Sequence, residues 1–276
     1  MGLYMLPPLI SAPIAGWTLS WREAGSGNGL PLVLMHGIGS NSRAWAGQFA
    51  RFSAERRVLA WNAPGYAGSD PLPMPAPVAE DYAAAALAWL DHLGIGRCVV
   101  VGQSLGAIMA TALARLAPER VAALALASPA SGYGVAPGDP LPDKVAARIE
   151  DVRRLGPAGL AAARAGRLLT AQASDEAFAM VQIAMAEVEP AGYEQAVRLL
   201  GGADLVRDVA DVTMPALVLW GAQDIVTPPA GCARIADAMP HAARAQVAGG
   251  GHAFATEIPV AFNETIAPLI AAADRE

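Results

Sequence analysis

The sequence predicts an α/β fold: a mostly parallel, doubly wound sheet of about eight strands carrying an inserted helical cap. Three observations point there. Short apolar runs, many of them β-branched, alternate with longer Ala- and Leu-rich stretches, as expected of strands buried on both faces and joined by crossover helices. Several of these runs end in Gly-, Ser- or Pro-rich loops. The rhythm stops near residue 131 and resumes near residue 216, with helical, Arg-rich sequence between. The expected organisation is a core of residues 1–130 and 210–276, with a helical cap of residues 131–209 inserted in it; a run of ordinary crossover helices is the alternative for that segment.

Composition narrows the function classes. The 276 residues are 54% hydrophobic and 16% charged, which suits a well-buried core and argues against disorder. A net charge of −6 leaves no basic footprint for nucleic acid or an anionic membrane. Residues 1–21 carry no charged side chain, but Pro7, Pro8, Pro13 and Gly16 interrupt them and no basic segment precedes them. Neither a spanning helix nor a signal peptide is expected, so the chain reads as soluble and cytoplasmic. Cys98 and Cys232 read as small buried hydrophobes. No His, Cys, Asp or Glu cluster has ligand spacing, so no metal or other cofactor is expected.

The elements follow in order. Residues 9–24 read as two strands, and the alternation of Trp17-Thr18-Leu19-Ser20-Trp21 marks the second. Residues 31–35 form an all-apolar strand that ends in His36-Gly37-Ile38-Gly39-Ser40-Asn41. A helix over 42–52 follows, with Ser40 or Asn41 near its cap. Residues 58–61 form the next strand, and the loop after them begins at Asn62 and contains Pro64-Gly65-Tyr66-Ala67-Gly68. Residues 79–93 are helical, and Gly94 and Gly96 end that helix.

Residues 98–101 are a strand, and helix-forming residues begin at Ala107. Gly102-Gln103-Ser104-Leu105-Gly106 lies between them as G-x-S-x-G on a strand-to-helix turn. Residues without a Cβ let strand and helix approach closely while the serine sits in a strained turn at a helix N-terminus. Residues 121–127 form another strand, and 216–220 resume the pattern before Gly221-Ala222-Gln223-Asp224. A helix over 230–239, a strand over 243–247, the loop Gly249-Gly250-Gly251-His252 and a helix over 259–273 complete the chain.

In an open parallel sheet, the loops at the carboxyl ends of the strands share the ligand-binding edge. The loops at His36, Asn62, Ser104, Asp224 and His252 all follow strands. Ser104, Asp224 and His252 therefore converge in prospect, in the chain order Ser…Asp…His. His252, in its Gly-rich loop, is the one of four histidines placed to act as a base. His36 suits a hydrogen-bonding support of its loop, while His92 and His241 read as surface or packing residues. Asp204, Asp208 and Asp211 are rivals to Asp224, but they precede the strand. Arg148, Arg153, Arg154, Arg164, Arg167 and Arg198 read as solvated faces of cap helices, with a substrate carboxylate clamp as the alternative for one of them.

These pieces resemble the α/β-hydrolase superfamily nearly from end to end. The resemblance rests on His36-Gly37-Ile38-Gly39, Ala63-Pro64-Gly65-Tyr66-Ala67-Gly68-Ser69, Gly102-Gln103-Ser104-Leu105-Gly106, Gly221-Ala222-Gln223-Asp224-Ile225-Val226-Thr227-Pro228 and Gly251-His252-Ala253-Phe254. It implies an α/β-hydrolase fold with Ser104 as nucleophile, His252 as general base and then acid, and Asp224 orienting the imidazole. The backbone N–H groups of Ile38 and Leu105 would form the oxyanion hole. Related chains often carry Asp where Asn62 stands and His where Gln103 stands, so polarity beside the elbow should differ. Serine at 104 excludes the aspartate nucleophile of related epoxide hydrolases and haloalkane dehalogenases.

The segment from His36 to Trp45 and the compact cap look most like bacterial 3-oxoadipate enol-lactonase-type hydrolases and small carboxylesterases. The implied activity is hydrolysis of an ester or lactone of a small, partly apolar substrate. C–C bond hydrolysis of aromatic ring-cleavage products on the same triad is the alternative, with perhydrolase or lyase chemistry behind it. A non-catalytic small-molecule receptor is the reading from a different class.

Overall fold

Eight strands join into one sheet in the computed structural model, which describes residues 5–275. The strands are β1 (Leu9–Ile14), β2 (Trp17–Ala24), β3 (Gly29–Met35), β4 (Arg56–Asn62), β5 (Cys98–Gln103), β6 (Val121–Ala127), β7 (Ala216–Gly221) and β8 (Ala243–Val247). Their order across the sheet is β1-β2-β4-β3-β5-β6-β7-β8. β1 pairs antiparallel with β2 and β2 with β4, while every pairing from β4 to β8 is parallel. The first four residues of the charge-free opening lie outside those described, and residues 9–24 of that stretch and its continuation form the antiparallel hairpin.

This order explains where a site can form. β4 and β5 flank β3 on opposite sides, so the chain reverses its direction of travel across the sheet there. Loops leaving β3 and β5 diverge to opposite faces, and a crevice opens between them at the carboxyl edge. Gly37 to Ser40 and Ser104 border that crevice.

Helices α1 (Ala46–Phe52), α2 (Ala79–His92) and α3 (Leu105–Leu116) link the first parallel strands. Between β6 and β7 lie α4 (Asp143–Arg164), α5 (Asp175–Ala186), α6 (Pro190–Gly202) and the single turn α7 (Leu205–Asp208). That segment has no strand among the described residues, only the isolated bridges Tyr66↔Val188 and Gly132↔Asp204. α4 breaks where Gly156 takes a φ of 66° ahead of Pro157, as the glycine and proline content of the segment implies. Helices α8 (Pro229–Asp237), α9 (Phe254–Glu257) and α10 (Pro259–Ala273) close the chain.

The central strands bury alternate residues on opposite faces, which is why their sequence is apolar throughout. Val33, Leu59, Val100, Leu124 and Val218 face one cluster with α2, α3 and α8. Leu34, Ala60, Val101, Ala125 and Leu219 face the other with α1 and α10. On α10, Phe262, Ile266 and Ile270 recur every four residues and are essentially fully buried. Each such side chain contributes about 1.5–3 kcal/mol by leaving water. Val145, Leu160, Met185 and Tyr193, from the segment between β6 and β7, join the first cluster rather than forming a separate core.

Three details depart from expectation. The helix over 42–52 opens as a 3₁₀ turn (Ser42–Trp45), because the Asn41 side chain accepts from the Arg43 N–H and tightens the first turn. α3 begins at Leu105 rather than Ala107. The short α9 follows His252 where no helix was expected, too brief for periodicity to reveal. No helix among the described residues is long and apolar enough to cross a membrane.

Candidate active site

Ser104 occupies the turn between β5 and α3 with φ 55° and ψ −116°, a conformation that costs roughly 1–3 kcal/mol for a residue with a Cβ. Close packing holds it there. Its N–H donates to Ala127 O at 2.9 Å, and its carbonyl accepts from Ala107 and Ala130. A Cβ on Gly106 would stand 2.2 Å from Met35 O, so the first turn of α3 rests directly on the end of β3. A Cβ on Gly37 would stand 2.9 Å from the Cβ of Ser104. Glycine at these positions permits both approaches.

The Ser104 hydroxyl has no hydrogen-bond partner among the described residues and borders the crevice. The Ile38 and Leu105 N–H groups donate no hydrogen bond to the backbone of the described residues, and both residues line the same cavity as Ser104. Leu105 is the first residue of α3, where helix geometry leaves N–H groups free and the helix dipole is positive.

His36 is fully buried and holds the loop that carries Ile38. Its Nε2 accepts the Ala63 N–H at 3.0 Å, so Nδ1 carries the ring proton and donates to Gly37 O at 2.9 Å. Burial pushes its pKa down to about 4, against the opposing pull of the Gly37 carbonyl. The ring also meets Tyr66 edge-on at 4.9 Å. His36 is thus a neutral brace between the loops after β3 and β4, as the sequence suggested.

Asn62 and Gln103 turn their amides to structural use. Asn62 accepts from the Ser42 N–H at 2.8 Å and donates to the Ser20 hydroxyl at 2.8 Å, tying β2 to the turn before α1. Gln103 donates to His252 O at 2.9 Å, linking the elbow to the histidine loop.

Asp224 and His252 meet across 28 residues of chain. His252 Nδ1 lies 2.9 Å from Asp224 Oδ2, and both side chains are almost wholly buried. The other carboxylate oxygen accepts the N–H groups of Val226 at 2.8 Å and Thr227 at 2.9 Å. Burial alone would raise the Asp224 carboxyl, but bonding and charge from His252, with further bonds from Thr227, hold it below the usual range. Nδ1–H is therefore committed to the carboxylate, which leaves Nε2 as the free basic atom.

Thr227 escaped the sequence reading. Its hydroxyl lies 2.8 Å from Asp224 Oδ2, 3.1 Å from His252 Nδ1 and 3.1 Å from Ser128 O. A Thr three residues after an Asp is a local hydrogen-bonding signal that could have flagged it. Glu257 gave no such signal. It accepts the Gly251 N–H at 2.8 Å with one oxygen and the Thr170 N–H at 2.8 Å with the other. The Ala253 N–H donates to Leu168 O at 2.8 Å, so the histidine loop is fastened to the segment between β6 and β7.

The rival carboxylates lie elsewhere in bonding terms. Asp204 caps α7 through the Arg207 N–H, Asp208 pairs with Arg207 and Arg115, and Asp211 pairs with Arg115. None bonds to His252. The arginines also divide: Arg153 pairs with Glu194, and Arg154 with Asp151, on exposed faces.

Ser104 and His252 border two spaces. A cavity of about 380 Å³ runs from Ile38, Ser104 and His252 toward Arg148, Arg167 and Tyr193. A slot of about 30 Å³ shares Ser104 and His252 with it and is walled by Ala44, Met180 and Ala184. Among the described residues, no group of three or more His, Cys, Asp or Glu is placed to hold a metal ion. A strained serine at a helix N-terminus and a carboxylate-oriented imidazole on one cavity suit nucleophilic acyl chemistry.

Known proteins share this architecture. The chain is 32% identical over 220 residues, or 79% of its length, to the dihydrolipoyllysine-residue acetyltransferase component of the acetoin cleaving system of Pseudomonas putida, and it spans 58% of that protein. It is 26% identical over 251 residues to 3-oxoadipate enol-lactonase 2 of Acinetobacter baylyi, covering 90% of this chain and 91% of that one. The crystal structure of the enol-lactonase from Burkholderia xenovorans LB400 superposes with a TM-score of 0.86 at 26% identity, covering 95% of this chain and all of that one. The family profile described as the alpha/beta hydrolase fold matches residues 31–257. With its sheet order, its elbow and that match in agreement, the chain belongs to the alpha/beta hydrolase family.

Proposed function

We propose that this protein is a serine hydrolase of small carboxylic esters or lactones. Ser104 Oγ attacks the carbonyl carbon while His252 Nε2 takes its proton. The negative charge that develops on the carbonyl oxygen is met by the Ile38 and Leu105 N–H groups. The bond to the leaving oxygen then breaks, and His252 returns the proton to that oxygen. Water, deprotonated by His252, attacks the acyl-enzyme, releasing the acid and restoring Ser104. Asp224 stays ionised throughout, fixing the tautomer of His252 and stabilising its imidazolium. Residues 131–209 serve as the cap that encloses the substrate.

The observation that carries this reading is the 2.9 Å bond between His252 and Asp224 on the cavity that also exposes strained Ser104. Likeness to enol-lactonases over nearly the whole chain supports ester and lactone substrates. The test is labelling with a fluorophosphonate alongside turnover of p-nitrophenyl acetate, an enol-lactone and a dienone acid. Labelling and turnover should vanish together in Ser104→Ala, with kcat falling by several orders of magnitude. Persistent labelling in the variant would remove Ser104 from the mechanism. Dienone-acid turnover above that of every ester and lactone would replace ester cleavage with C–C cleavage.

A further inference from the structure

The two spaces beside Ser104 differ in chemistry. The slot of about 30 Å³ is lined by Gly39, Ala44, Met180, Val181 and Ala184, and of its lining residues only His252 has an ionisable side chain. About 10–15 Å³ of such volume holds one water, so the slot suits a group of a very few carbons. The cavity of about 380 Å³ falls within the range of small-molecule sites. Five cationic side chains line it: Lys144, Arg148, Arg164, Arg167 and Arg234, with no Asp or Glu among its lining residues. The chain as a whole has 25 acidic and 19 basic residues, so this lining runs against its composition.

Two of the five cations have internal partners, and three form no ion pair among the described residues. Arg164 pairs with Asp151, and Lys144 lies over the Tyr133 ring at 4.7 Å. Arg148, Arg167 and Arg234 form no ion pair with a carboxylate among the described residues. Lys144 and Arg148 stand four residues apart on one face of α4, where like charges disfavour the helix. Arg167 follows the end of α4, and Arg234 approaches from α8. Cations gathered from three elements, none of these three neutralised by the fold, present a basic wall to whatever fills the cavity. Guanidinium groups bind carboxylates through paired N–H donors.

We propose that the large cavity is a carboxylate subsite and the slot a short-chain subsite. The preferred substrate is then an ester with a group of a few carbons on one side of the scissile bond and a carboxylate-bearing chain on the other. This rests on Ser104 being the nucleophile, since Ser104 is the point from which both spaces are measured.

The test compares monomethyl adipate with dimethyl adipate, which differ only by the free carboxylate. An acetoxy acid and its methyl ester place the carboxylate on the leaving-group side instead. The charged member of at least one pair should have a kcat/KM tenfold or more above its neutral counterpart at low ionic strength. That preference should shrink in 0.5 M NaCl, because screening weakens exposed charges. Arg148→Gln and Arg167→Gln should each reduce the preference severalfold, chiefly through KM, and Arg167→Lys should restore part of it. Equal turnover of charged and neutral esters in both pairs, by a protein that labels at Ser104, would overturn the subsite and leave the hydrolase intact. A protein that fails to label would overturn the catalytic reading. Calorimetric titration with adipate then decides the subsite by itself: binding that weakens in Arg148→Gln supports it, and binding that is absent or indifferent to Arg148 and Arg167 overturns it.

Discussion

Acid should unlock the active-site loop through His36. Its Nε2 faces the Ala63 N–H, so a proton added there would set one donor against another in a buried position. The folded protein therefore resists protonation, with a pKa near 4 against an ordinary value of about 6.5. Because the folded value is depressed, the unfolded chain binds the extra proton first as pH falls below 6.5. The contribution of the neutral ring is fully present above that point and declines toward pH 4. It loses about 2 kcal/mol by pH 5 and about 3 kcal/mol by pH 4, a large fraction of the stability of an ordinary domain.

The assay is urea unfolding at pH 7, 6, 5 and 4.5 for the native chain and for His36→Gln, whose amide does not titrate. The remaining titratable groups affect both proteins alike, so the difference between their stabilities isolates His36. That difference should change by about 1.4 kcal/mol per pH unit at most, narrowing as pH falls. Activity should drop in the same interval, since the loop presenting Ile38 is the one His36 braces. A stability difference independent of pH would refute the assigned tautomer and the neutral state.

Other expectations are simpler to check. Asp224→Asn should lower kcat by about 10⁴, because its amide can donate to the ring and favour the wrong tautomer. Asp204→Asn, Asp208→Asn and Asp211→Asn should stay within about tenfold, and a collapse in one of them with Asp224→Asn near normal would reassign the acid. Gly37→Ala should cost about 10²-fold in kcat, since its Cβ would press on that of Ser104 and shift the neighbouring donors. Fluorophosphonate labelling and thermal midpoint measured together would separate that loss from unfolding. Dialysis against EDTA should leave turnover unchanged, and inactivation reversed by a divalent ion would refute the metal-free reading.

Much of the architecture was legible because burial imposes local patterns. Residues 98–101, 121–127 and 216–220 are apolar without interruption, since both faces of a central strand are covered, and each appears as a strand. Ser104, Asp224 and His252 follow such strands, so the ordering of loops along one edge already groups them as candidates. Glycines at 102 and 106 imply a close strand–helix approach, and a Cβ added at Gly106 would stand 2.2 Å from Met35 O.

Tertiary structure decided what no local pattern encodes. Beyond its near neighbour Asp224, Thr227 also reaches His252, 25 residues away, and Glu257 joins Gly251 to Thr170, 87 residues away. Arg148, Arg164 and Arg167 line the cavity, and sequence alone does not separate that from a solvated helix face, because an arginine spaced along a helix has the same pattern whether water or a cavity lies beyond it. A sequence records the periodicity that burial demands of one element. Which element packs opposite, and with what charge, is set by the order in which strands cross the sheet.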